Sequence, residues 1–316
     1  MDIERRITLI KIWDAMFRGA RKYVMNQGFT QIHNCPELVG VTGACENVDT
    51  LFKVDFFGKQ AYLAQSDQLY LELITPHIPK VWAEIQSFRA EPEDNNRHLC
   101  QFSLFELEFQ GGLEDLVTHI SGVINSSCHE VIESCEAELF KLDRNPDQLR
   151  NIKFERLTYT EAVEILGRHW PDLKWGDDLK SHHELKLVEI LGPHFITHYP
   201  KEIKFFNMRE NEQDPRVVNS TDLILPFAGE SAGAAEREFR YERIVSRLKS
   251  SDMYHRLLSL GGKPEDFDWY LDAHRGKDIP LHSGTGIGMA RVAQFILGSQ
   301  DIRNCVPFMV NCNNLL

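Results

Sequence analysis

Ile3, Ile7, Ile10, Phe17, Ala20 and Val24 recur at the spacing of one helix face, and Gly28 follows where a C-terminal cap would stand. LFKVDFFGKQAYLAQ alternates about a Gly-Lys turn and predicts a hairpin. VWAEIQSFRAE and CQFSLFELEFQ are two strand-like runs separated by the polar loop PEDNNRH. GLEDLVTHISGVINSSCHEVIESC returns to a helical period, as does TYTEAVEILGRHW, and the charged stretch DDLKSHHELKLVEIL comes after them, with His182 and His183 expected on a solvated helix. KEIKFFNM and NSTDLILPF read as strands, Glu236 to about Ser251 as a helix, and HSGTGIGMARVAQFILG as a glycine loop entering a helix. Adjacent strands interrupted by helices predict an α+β fold with a largely antiparallel sheet, not a βαβ alternation. No repeat, low-complexity tract or Gly/Ser linker divides the chain, so residues 1–316 are expected to form one domain.

Composition narrows the picture. The chain has 316 residues, 42% apolar and 26% charged, the profile of a soluble globular protein. No apolar run approaches the roughly 20 residues that span a bilayer. The start, MDIERRITLIKIW, mixes both charge signs without a cleavage site, so no signal peptide is expected. Seven cysteines without a CxxC pair suggest scattered thiols in a reducing compartment, the cytoplasm. A net charge of −12 argues against broad, sequence-independent contact with nucleic acid. Arginines near predicted loops (Arg89, Arg97, Arg237, Arg240, Arg243 and Arg291) suit a compact anion such as a triphosphate.

Two segments carry candidate chemistry. In FRAEPEDNNRHLCQFSLFELEFQG, Arg89 and Glu91 leave one strand while Arg97 and His98 open the next. Period two puts Phe102, Leu104, Glu106 and Glu108 on one face and Phe105, Leu107 and Phe109 on the other. The mixed face fits either a solvated edge hairpin or a cleft holding a flat base, phosphates and Mg²⁺. In HSGTGIGMAR, glycines at 284, 286 and 288 allow close backbone approach, and Arg291 follows on the next helix. GxGxG at the C-terminal end, without an acidic ribose-binding residue after it, disfavours a dinucleotide fold.

Together and in this order, the two segments resemble motifs 2 and 3 of class II aminoacyl-tRNA synthetases, in particular the aspartyl/asparaginyl branch. ENVDTLFKVDFFGKQAYLAQSDQLYLE, RLTYTEAVEIL, KFFNM, NSTDL and GESAGAAERE are similar to further parts of that branch. The resemblance implies a class II antiparallel sheet flanked by helices, with ATP and Mg²⁺ as cofactors. It implies Arg89 on the α-phosphate and the attacking carboxylate, and Glu91 at the adenine or the amino acid. Arg97 and Arg291 would hold the distal phosphates, and Phe102 would stack under adenine. His98, Gly286 and Gly288 belong to the same ATP-binding set. Asp222 and Glu230 match Mg²⁺-binding acids. Glu46, Ser66 and Gln68 match groups around the substrate's α-amino and α-carboxyl groups. Arg237 matches the arginine that reads the substrate side chain, with Leu71 beside it in place of a second cation. Gly28 through Pro36 matches a dimer-forming segment, so a homodimer is expected.

The chain also departs from the pattern. No N-terminal anticodon-binding barrel is expected, Ala290 replaces a glutamate, and VPFMVN stands where Phe-Pro-Arg is expected. Asn47 and Val48 replace loop glycines, Gln101 replaces a carboxylate, and the small residues near Arg237 shift to Gly233 and Ala234. Leu71 favours asparagine or a less negative analogue over aspartate. The expected function is therefore activation of an aspartate- or asparagine-like amino acid as its adenylate, with transfer to ammonia or a small amine. A truncated tRNA-charging enzyme and a non-catalytic paralogue are the alternatives. The expected partners are amino acid and ATP, with tRNA unlikely and no membrane.

Overall fold

The computed structural model describes residues 2–41 and 47–315. α1 (Ile3–Asn26) begins where the Asp2 carboxylate accepts the Arg5 N–H at 2.8 Å, and ends just before Gly28, at φ +77°. β1 (Thr30–Gln31) and β2 (Leu38–Val39) are brief. β3 (Lys53–Phe56) and β4 (Lys59–Leu63) form the predicted hairpin. Its two turn residues, Phe57 and Gly58, both have positive φ, as a two-residue turn between twisted strands requires. α2 (Gln68–Ile74) leads into the long strands β5 (Lys80–Phe88) and β6 (Gln101–Gln110), then α3 (Leu113–Lys141). β7 (Glu155–Thr158), α4 (Tyr159–Gly167), α5 (Ser181–Leu191) and β8 (His194–Thr197) form a crossover unit with parallel strands. β9 (Ser220–Leu225) and β10 (Gly229–Glu236) follow, then α6 (Tyr241–Ser250), α7 (Asp252–Ser259) and α8 (Asp268–His274). The chain returns to the middle of the sheet as β11 (His282–Gly288) before α9 (Met289–Leu297).

The large sheet runs β1-β5-β6-β11-β10-β9-β8-β7, and β2, β4 and β3 make a small second sheet. The outermost pairs of the large sheet are parallel and the inner pairs antiparallel, so the fold is α+β as expected. Period two sorts the central strands as the sequence indicates. Phe105, Leu107 and Phe109 join Ala232, Ala234, Leu223 and Ile287 in a core beneath α1, α3 and α9. The opposite face carries Glu106 and Glu108 and becomes the floor of a cleft.

Four local expectations are corrected. KEIKFFNM is a 3-10 turn at Lys201–Ile203 followed by a single β-bridge at Met208, because Arg247 ties its carbonyls back to α6. Glu236 ends β10 instead of starting a helix, and its carboxylate accepts the Leu113 N–H at 3.0 Å, capping α3. The glycine-rich HSGTGIG is a central strand, not a loop. Of the two histidines expected on a solvated helix, His182 is exposed but His183 is buried, its Nδ1 accepting the Lys180 N–H at 3.1 Å.

α1 and α3 cross at glycine. A Cβ on Gly19 would overlap the Ser126 carbonyl and lie 2.8 Å from Ser127 Cα, and the Ser126 hydroxyl donates to the Gly19 carbonyl at 2.7 Å. The obstruction is backbone, so it cannot rotate away. Gly19→Ala is expected to cost about 1–3 kcal/mol by forcing the helices apart, despite alanine's better helix propensity. Urea unfolding measures this, and an unchanged or raised midpoint would show that the crossing is looser than described.

Candidate functional site

The floor of the cleft is a row of paired residues across four strands: Glu106 on β6, Gly286 on β11, Gly233 on β10 and Asp222 on β9. A second row runs Glu108, Gly284, Ala235 and Ser220. Acids stand at the rims and the middle is almost bare. With strands about 4.8 Å apart, the glycines leave a trough roughly 14 Å wide between the Glu106 and Asp222 backbones. Gly284 is required, because a Cβ there would overlap the Glu108 carboxylate, whereas one on Gly286 would meet Glu106 Oε1 at an ordinary contact distance of 3.5 Å.

Above this floor lies a cavity of about 100 Å³. Arg89, Glu91, Arg97, His98, Phe102, Glu230, Gly286, Gly288 and Arg291 all line it, so the structure brings nine sequence-selected residues together. The Arg89 guanidinium lies 5.3 Å from the centre of the Phe102 ring. Its Nε is buried with no hydrogen-bond partner among the described residues, a costly arrangement for a donor unless a ligand completes it. Arg291 donates through Nη1 to the Glu230 carbonyl, and His98 Nδ1 lies 3.0 Å from Asn95 Oδ1. Ala290, Leu99 and Ile302 make the cavity's apolar wall.

Sequence reasoning missed Glu184. Its Oε2 accepts from Arg97 Nη2 at 3.1 Å and from the Glu230 N–H at 3.2 Å, above Gly229, whose Cβ would collide with both side chains. α5 thus anchors Arg97 at the edge of the cavity. No local signal marked it, because the partners are 87 positions apart.

Asp222 and Glu230 face the same space. From the position a Gly233 Cβ would take, Glu230 Oε1 is 3.4 Å away and Asp222 Oδ1 is 3.7 Å away. A β-bulge at Ser231 shifts the register so that Glu230 and Gly233 share the cleft face with Asp222. Two carboxylates converging over an absent side chain fit a hard divalent cation that takes its remaining ligands from phosphate and water. Asp222 Oδ2 is held 2.6 Å from Lys204 Nζ.

Beyond Glu106 is a buried charge cluster. Arg237, 2% exposed, donates to Glu108 through Nη2 at 2.5 Å and lies 3.6 Å from Glu72 Oε1. Glu72 also accepts from Gln68 at 2.7 Å, Asn207 at 2.5 Å and the Tyr270 hydroxyl at 2.7 Å. Leu71 does not sit beside Arg237: it is fully buried against Val81, Ala83, Ile85 and Leu104. α2 turns the next residue toward the arginine, so Glu72 occupies the position expected of Leu71. Ser66 donates to Glu106 at 2.6 Å, while Glu46 lies outside the described residues.

Burial pushes the Glu106 carboxyl up to about 7, against the hydrogen bonds from Ser66 and the Asp67 N–H. Burial, reinforced by Glu106, pushes Asp67 up to about 8. Asp67 is completely buried, and neither of its carboxylate oxygens has a hydrogen-bond partner among the described residues. A carboxyl whose pKa rises on folding stabilises the fold fully below its unfolded pKa, near 4, and that contribution is lost as pH climbs through 8. Asp67→Asn is therefore expected to flatten the decline in stability between pH 5 and 8 and to gain on the order of 1–2 kcal/mol over the parent at pH 8.5. Denaturant unfolding across pH tests this, and parallel curves for the two proteins would remove Asp67 as the cause.

The match to known proteins extends along nearly the whole chain. The family model for class II tRNA synthetases (D, K and N) matches residues 4–311. The asparagine–tRNA ligase of Pyrococcus abyssi is 35% identical over 300 residues, covering 93% of this chain and 66% of its own length. That of Thermococcus gammatolerans is 33% identical over 301 residues, covering 94% and 67%. The chain thus spans about two thirds of the length of these curated relatives. The crystal structure of Pyrococcus horikoshii asparaginyl-tRNA synthetase complexed with asparaginyl-adenylate superposes with a TM-score of 0.89 at 33% identity, over 99% of this chain and 70% of that one. The Entamoeba histolytica asparaginyl-tRNA synthetase in complex with asparaginyl-adenylate gives 0.83 at 26% identity, over 98% and 68%. With the motif-bearing strands arranged around one bare sheet floor, the chain belongs to the class II tRNA synthetases of the aspartyl, lysyl and asparaginyl group.

Proposed function

We propose that residues 1–316 work as one catalytic unit that activates asparagine with ATP and passes the aminoacyl group to tRNA. The observation that carries the substrate is the buried pair of Arg237 and Glu72, 3.6 Å apart. Arg237 offers N–H donors and Glu72 offers acceptor oxygens, which together complement a primary amide: its oxygen faces the guanidinium and its NH₂ faces the carboxylate. An aspartate side chain would set a second carboxylate against Glu72 and Glu108, a like-charge contact that a buried site penalises heavily. Asparagine over aspartate thus follows from an acid next to the arginine, and not from the neutral Leu71.

The cleft accounts for the rest of the reaction. The substrate's α-carboxylate, already ionised, attacks the α-phosphorus of ATP and pyrophosphate leaves, so no general base is needed. Arg89, with its unsatisfied Nε, holds the α-phosphate and the incoming carboxylate, while Arg97 and Arg291 take the distal phosphates. Phe102 offers a ring face to adenine, with Glu91 and His98 at the rim. Asp222 and Glu230 would hold Mg²⁺, which neutralises charge on the triphosphate. Ser66 and Gln68 orient the amino acid through Glu106 and Glu72. The protein acts as a homodimer through the segment from Gly28 to Pro36.

tRNA is the acceptor in this reading because both relatives are tRNA ligases. The expectation that tRNA is unlikely finds no support, and among the described residues no feature favours ammonia or a small amine. ATP–pyrophosphate exchange across the amino acids tests activation. Exchange should be strongest with asparagine, and Arg89→Ala should lower it about a hundredfold or more while leaving circular dichroism unchanged. Glu72→Gln should erode the preference for asparagine over aspartate by about tenfold or more in kcat/KM. A parent that prefers aspartate would sink the assignment of the side-chain pocket. Adenylate that transfers to ammonia or amines but not to tRNA would replace the acceptor.

A further inference from the structure

One cation in the cleft belongs to neither the phosphate-side arginines nor the buried cluster around Arg237. Lys204 Nζ lies 2.6 Å from Asp222 Oδ2, the two side chains 11% and 4% exposed, and 4.1 Å from the centre of the Tyr199 ring. Lys204 is not a loose surface lysine. It sits on the segment of residues 201–208, which α6 straps down: Arg247 Nη2 donates to the carbonyls of Lys201 and Phe205 at 3.3 Å each, and Nη1 donates to that of Met208. The strap delivers the ammonium to one oxygen of Asp222 while the other faces Glu230 across the Gly233 gap. Two carboxylates sharing this space, Asp222 buried and Glu230 half-buried, are disfavoured without positive charge nearby. Lys204 places a positive charge beside them in the ligand-free protein.

We propose that Lys204 is a resident counter-ion: it holds Asp222 until a divalent cation arrives, and it sets how weakly the free protein binds that cation. The proposal rests on the reading of Asp222 and Glu230 as cation ligands. The ammonium and the metal ion compete for the same carboxylate, so the ion alone binds weakly. When it comes with a nucleotide, phosphate oxygens add to its ligand set and the balance tips. Cation and nucleotide binding are thereby coupled through one lysine, and by linkage the coupling acts equally in both directions. The displaced ammonium keeps its contact with the Tyr199 ring.

Mn²⁺ alone is the probe, with the free ion counted by its electron paramagnetic resonance signal and the protein's melting temperature followed in parallel, without nucleotide. Lys204→Met is expected to bind Mn²⁺ about tenfold more tightly than the parent, and to melt lower in EDTA with recovery on adding Mn²⁺. Lys204→Gln is the second neutral variant and should move the same way, while Lys204→Arg should stay with the parent. A neutral variant that folds but binds Mn²⁺ no better than the parent, or an arginine variant that binds as tightly as the neutral ones, overturns the counter-ion role. Asp222→Asn separates the two layers. If it loses Mn²⁺ binding in the presence of ATP, the metal-ligand reading stands whatever the lysine variants do. If it binds as the parent does, that reading and this proposal fall together.

Discussion

The cleft side of the sheet is arranged around two carboxylates, Glu106 and Glu108, which β6 carries into the interior at 2% and 1% exposure. A buried carboxylate needs donors, and it needs room for its own side chain. Ser66 and the Asp67 N–H supply Glu106, and Arg237 supplies Glu108. The neighbouring strand makes room opposite Glu108, where β11 carries Gly284 and any Cβ would overlap that carboxylate. One glycine of the stretch read as a loop thus has a packing cause: an acid carried across the middle of a sheet.

The balance of charge then extends outward. Arg237 serves Glu108 and Glu72 at once, and Glu72 needs Gln68, Asn207 and Tyr270 to remain tolerable. Those partners come from α2, α8 and the segment after the Lys201 turn, so elements distant in sequence are pinned by one ionic centre. Glu184 does the same elsewhere in the cleft, joining α5 to Arg97 and to the backbone of β10. Removing one member of either network strands its partners in low dielectric.

Much of this was legible in the sequence. The alternation of β6 fixed which residues face the core and which face the cleft, and the motif-bearing segments brought nine site residues to one cavity. The failures have physical causes. β10 is GESAGAAE, whose small residues carry little strand propensity and join the sheet through pairing with β9 and β11 on either side. β11 was concealed for the same reason. Leu71 and Glu72 were exchanged because resemblance gives a position along the chain but not the direction of a side chain on a helix of seven residues. His183 was taken as solvated because no local pattern revealed its Lys180 N–H donor or the Trp170 ring packed beside it.

The bare floor also governs how the site can diversify over evolutionary time. A side chain on Gly284 runs into the acid opposite, so that position offers little neutral drift, while Gly286 has room for a methyl. The cluster around Glu72 is constrained differently: Gln68, Asn207 and Tyr270 all hydrogen-bond its carboxylate, so a change at one must be matched by the others. A lineage built on this scaffold would change the molecules it accepts by concerted replacement within that cluster, while Gly284 stays fixed.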